Sequence, residues 1–134
     1  MMIVESRDLE RLELFSKFVS LEEFHRHIDM WLVVHKRDLT KCELVALKWL
    51  VFFSAKIPGV CNESIGTMLK AIHEEYYNHG ISRASFKRMI KKTSQLGIVT
   101  VYETQRENGS QSANLYVFNR FATAEPQHSF DFEI

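Results

Sequence analysis

Apolar side chains recur at helical spacing through most of this chain and switch, near Ile98, to every second position. Leu9, Leu12, Phe15 and Phe18 make one stripe behind Ser6, a residue type that caps helix N-termini. Leu21, Phe24, Ile28, Trp31 and Leu32 make a second stripe, opened by the capping box Ser20–Glu23 and running to about Lys36. Thr40 with Glu43 opens a third helix, ending near Lys56, that is apolar nearly all round. Leu44, Leu47 and Val51 fill one side of it and Trp49, Phe52 and Phe53 another. The pattern predicts cover from both sides, by the N-terminal helix pair on one face and residues 60–119 on the other. Pro58 and Gly59 stop that helix, Asn62 is placed to cap a fourth that ends near Gly80, and Ser82 caps a fifth that closes at Gly97. "IVTVYET" and "NLYVF" then alternate as strands around the polar run "QRENGSQSA", which predicts a hairpin with a long tip. The expected fold is mainly α with a small β-hairpin.

At 134 residues the chain is long enough for one well-buried domain, and 46% hydrophobic with 25% charged residues is ordinary for a soluble protein. No apolar run approaches a membrane span, and Glu5, Asp8 and Glu10 stand where a secretion signal is basic and then apolar, so a cytoplasmic protein with no membrane contact is expected. Cys42 and Cys61 read as opposite ends of one helix, roughly 25 Å apart, which is too far for a disulfide. His25 and His27, two positions apart on a helix, point away from each other and cannot share a metal. No nucleophile–base pair, carboxylate pair, phosphate-binding glycine loop or metal-spaced Cys/His cluster is present, so neither catalysis nor a metal or cofactor is expected.

Charge changes the picture more than composition does. Formal net charge is zero, yet between residues 81 and 120 Arg83, Lys87, Arg88, Lys91, Lys92, Arg106 and Arg120 face only Glu103 and Glu107. On a helical wheel Phe86, Met89, Ile90, Thr93 and Leu96 share one side of the fifth helix. Lys87, Arg88, Lys91, Lys92, Ala84 and Gln95 share the other, with Arg83 at the flank. A solvated helix normally mixes signs, because Glu–Lys pairs one turn apart help and like charges repel. A uniformly positive face is relieved by phosphates, and a local field of this kind steers a polyanion to one side of a neutral protein.

Helix, short helix, turn, basic helix and two-stranded hairpin, in that order, resemble the winged helix-turn-helix family. The likeness is carried by "SRASFKRMIKKTSQLGIV" and by "RENGSQSANLYVFN", and covers roughly residues 40–120. It is nearest to the domains of small bacterial, plasmid and phage regulators and replication initiators. Two features depart from the family pattern: the segment from Asn62 to Gly80 is longer than its usual second helix, and the N-terminal helix pair lies outside its core. The resemblance implies a DNA-binding domain over 40–120, an N-terminal helical extension over 1–39 and a flexible acidic tail over 121–134. It assigns major-groove contact to Arg83, Ser85, Lys87, Arg88, Lys91, Lys92 and Gln95, and phosphate or minor-groove contact to Arg106, Asn108, Ser110 and Gln111 at the hairpin tip. Arg and Gln suit bidentate readout of purine edges, whereas Lys more often meets phosphate.

The expected function is sequence-specific binding of double-stranded DNA in transcriptional regulation. A plasmid or phage replication or maintenance factor is the alternative within the same family. A winged helix used as a protein-interaction module is the alternative from another class. Leu9, Leu12, Phe15, Phe18, Phe24 and Trp31 offer more apolar surface than the third helix alone covers, which predicts a homodimer through the N-terminal helices; a first helix folded back in a monomer is the rival. Trp31 and Trp49 read as core residues. The acidic-aromatic end "SFDFEI" is either a loose terminus or a docking peptide for a protein partner.

Overall fold

Ser20 accepts the N–H of Glu23 and starts helix α1, Leu21–His35, while the Glu23 carboxylate reaches back to the N–H of Val19 at 2.9 Å rather than to that of Ser20. Thr40 and Glu43 form both arms of a capping box and start helix α2, Lys41–Phe53, after a short 3-10 turn at Lys36–Asp38. This computed structural model describes residues 2–75, 81–105 and 113–122, the side chains of 2–10 and 105 excepted. Within that description the protein is mainly helical with a small sheet.

Three expectations for local structure are corrected. The chain opens with a strand, β1, Met2–Glu5, and residues Ser6–Phe15 are 3-10 helix broken at Arg11 (φ −124°, ψ 50°), not one α-helix. Asn62 caps nothing. Val60–Cys61 form a strand, β2, paired with the second hairpin strand, and the Asn62 amide donates to the carbonyls of Ala113 and Asn114 at 3.1 Å. Ser64, two residues on, accepts the N–H of Thr67 at the start of helix α3, Ile65–Glu75. Cys61 therefore sits in a strand, not at the end of the helix that carries Cys42. Both thiols are free, and burial pushes that of Cys61 up to about 12.

Helix α4, Arg83–Leu96, runs from its Ser82 cap to Gly97, whose φ of 86° supplies the left-handed C-terminal turn. It delivers the chain into β3, Val99–Gln105, which pairs antiparallel with β4, Leu115–Phe118. The sheet order is β1–β3–β4–β2, with β1 parallel to β3 and the other pairings antiparallel.

Side chains alternate across this sheet, and both of its faces are covered. Cys61, Val99, Val101, Tyr116 and Phe118 join the main core with Ala46, Leu47, Leu50, Met68, Ile72, Phe86 and Met89. Val60, Leu115 and Val117 face the other way and pack with Leu12, Phe15, Ile57 and Tyr102. The hairpin is thus the middle layer between helices and the N-terminal 3-10 segment. Its tip, with Arg106, Asn108, Ser110 and Gln111, lies outside the described residues, as do Gly80 and residues 123–134.

The N-terminal region belongs to the same core. Phe18 and Phe24 meet at a tilt with centroids 5.2 Å apart, and Phe24 meets Phe118 edge-on at 5.0 Å. Asn119 ties the ends together. Its side chain takes the Lys17 ammonium at 2.6 Å and donates to the Gly97 carbonyl and Thr100 hydroxyl, while its carbonyl accepts the Trp31 indole N–H. Phe121, expected in the loose tail, packs on Trp31 and donates its N–H to His27 Nδ1.

The described N-terminal apolar residues named for a homodimer interface pack within the chain itself. Phe18, Phe24 and Trp31 are buried in the chain's own core, and Leu12 and Phe15 cover the outer face of the sheet; the Leu9 side chain lies outside the description. Nor is α2 covered all round: Cys42, Val45 and Phe52 are exposed. Among the described residues no helix is long and apolar enough to cross a membrane.

Candidate nucleic-acid interface

Helix α4 buries Phe86, Met89 and Thr93 completely, chiefly against α2, so the remaining faces of the helix are fixed in direction. Its basic side chains then divide into two rows. Arg83, Lys87, Lys91 and Gln95 follow one another at intervals of four and are all exposed. At 1.5 Å per residue that row is about 18 Å long. Lys87, Lys91 and Gln95 line an open groove of about 650 Å³ between α4 and the hairpin, together with Thr100, Asn114, Ile90, Val99 and Tyr116. Arg83 continues the row into a neighbouring depression with Ser64, Gly66 and Asn114, where α3 begins. One line of cations therefore runs from the start of α3 along the edge of the hairpin.

The second row turns toward α2 and is occupied. The Lys92 ammonium lies 2.8 Å from Glu43 Oε1 and also donates to the Asp38 carbonyl at 3.3 Å. Arg88 Nε lies 3.6 Å from Glu43 Oε2, and its Nη2 donates to the Ser85 hydroxyl at 3.0 Å. Ser85 receives the Ser82 hydroxyl as well and is only 6% exposed, so it sits inside the cap network and not on the outward face assigned to it from sequence. Glu43 itself is 1% exposed. Burial pushes its carboxyl up, but the Lys92 ammonium and the Thr40 N–H outweigh that and hold it below its ordinary value.

Glu43 is the residue that the wheel of α4 could not reveal, because the carboxylate comes from another helix. The available signal was its own position: it is the one acid in the run from Lys41 to Lys56, on a helix otherwise apolar or basic. A capping role explains its presence there but not its burial.

Chemically, the row offers one guanidinium, two ammonium groups and an amide, its three cations without an ion-pair partner among the described residues, set beside polar groups of the hairpin. Among the described residues no cluster of three His, Cys, Asp or Glu side chains is placed to hold a metal. Comparison with protein-family models, with curated proteins and with solved structures finds no match to this chain.

Proposed function

We propose that this protein is a winged helix-turn-helix protein that binds double-stranded DNA, with α4 as the recognition helix and the β3–β4 hairpin as the wing. The observation that carries the reading is the row Arg83–Lys87–Lys91–Gln95. It is exposed along its whole length, lies on a helix whose opposite face is locked in the core, and runs beside the hairpin. An α-helix fits the major groove, where Arg and Gln have bidentate partners on base edges and Lys meets phosphate. Between β3 and β4 the sequence adds Arg106, Asn108, Ser110 and Gln111, side chains of the kind that contact phosphate. Control of transcription is the role proposed; initiation or maintenance of a plasmid or phage replicon uses the same contact.

A second reading, recognition of an acidic protein surface, is favoured by Ile90, Val99 and Tyr116 in the lining of the groove, which give an apolar side chain something to pack on beside the cations. A gel-shift series with random duplex, single strand and RNA of the same length tests the first against the second. Preferential retention of the duplex at low salt supports DNA binding, and retention of none of the three overturns it.

A further inference from the structure

We propose that Glu43 sets which cations of α4 meet phosphate: it withholds Lys92 and leaves Arg83, Lys87, Arg88 and Lys91 to make the contacts. The inference rests on the duplex-DNA reading above. Five cations, Arg83, Lys87, Arg88, Lys91 and Lys92, lie on α4 without an acid of their own. By sequence they are one basic face. By geometry they are not.

Lys92 has two of its three donors in use, on Glu43 and on the Asp38 carbonyl. A phosphate that drew it away would strand a carboxylate that is 1% exposed, with Arg88 at 3.6 Å and the Thr40 groups as its remaining partners. A contact made at a wet surface gains little, while unpairing a buried charge costs several times more. Lys92 therefore stays with Glu43 when the helix meets a polyanion. Arg88 is different: its side chain is 57% exposed while paired with Glu43 and Ser85, so a phosphate can reach it without unpairing Glu43. Glu43 thus acts as a positioning residue, touching no phosphate itself.

The salt dependence of binding reads this directly, because each phosphate neutralised adds a fixed increment to the slope, whereas a merely structural loss lowers affinity without changing it. The full-length chain is titrated into a fluorescein-labelled random-sequence duplex over a range of salt, with anisotropy as the signal. Lys91→Ala shallows the log–log slope by about 0.9. Lys92→Ala keeps the wild-type slope while lowering the melting temperature. Glu43→Gln frees Lys92 and steepens the slope by about 0.9, and the double variant Glu43→Gln/Lys92→Ala returns it to the wild-type value. A Lys92→Ala slope that shallows as much as that of Lys91→Ala overturns the proposal, as does an unchanged slope for folded Glu43→Gln. If Glu43→Gln does not fold, the comparison of the two lysine variants decides alone. Failure of the wild-type chain to bind at low salt is read before any variant and removes the DNA reading itself, and this proposal with it.

Discussion

The indole N–H of Trp31 donates to the carbonyl of Asn119 at 2.9 Å, joining α1 to the chain just beyond the hairpin. Trp31 is 9% exposed and Asn119 is half-buried, so water replaces a lost donor there only in part. Trp31→Phe is expected to lower stability by about 1–3 kcal/mol, checked by urea denaturation. The same relationship predicts that residues 40–134 alone do not fold, since they lose Phe18, Phe24, Ile28 and Trp31 from the core. A fragment that gives a cooperative melt on its own contradicts the single shared core. Phe18→Glu places a charge in that core and is expected to abolish the cooperative melt.

Gly59 has φ of 80°, and a Cβ there would lie 2.8 Å from the Phe18 ring and 3.5 Å from Phe118 Cβ. Gly97 has a similar φ of 86°, but the nearest atom to its Cβ is Trp31 at 4.0 Å. The two positions separate backbone strain from crowding. Gly97→Ala is expected to cost about 1 kcal/mol and Gly59→Ala about 2–3 kcal/mol, from the left-handed penalty alone and from that penalty plus displacement of Phe18. Thermal melts of the two variants check the order, and equal losses contradict it.

Acid sensitivity follows from two carboxylates. The Val19 N–H and Arg120 hold Glu23 below its ordinary value, and Glu43 is held low against its burial by Lys92 and Thr40. A carboxylate whose folded pKa lies below its unfolded value binds fewer protons in the folded state. Its stabilisation is complete above the ordinary value of 4.5 and is lost as pH falls through the folded value. Melting temperature is therefore flat above about pH 5 and falls below it, and Glu43→Gln flattens that fall relative to wild type. A variant that loses as much between neutral and acid pH as the wild type assigns the fall to other groups.

Local signals in the sequence placed the helices where local chemistry decides them. Ser20, Thr40 with Glu43, Ser82 and Gly97 each bound a helix within a residue or two of expectation, because a cap is made by neighbours in the chain. What was illegible depends on distant partners. Met2–Glu5 is a strand only because β3 lies alongside, about a hundred positions later, and Val60–Cys61 only because β4 does. Asn62 carries a good capping side chain, yet tertiary pairing uses its amide on the hairpin. The same limit applies at the interface. The inner and outer faces of α4 were readable from its period, but its outer face is split by a carboxylate of α2 that no reading of α4 alone contains.

The central claim is that the free row of α4 binds duplex DNA, and the salt dependence of Lys87→Ala/Lys91→Ala tests it most directly. Arg83, Lys87, Arg88 and Lys91 together give the wild-type protein a log–log slope of roughly −4 on random duplex, at about 0.9 per phosphate. Both lysines are exposed and line the open groove, so the double variant keeps the wild-type melting temperature while its slope shallows by about 2 units. A double variant that binds with the wild-type slope, or a wild-type chain that shows no affinity for duplex DNA at low salt, contradicts the account.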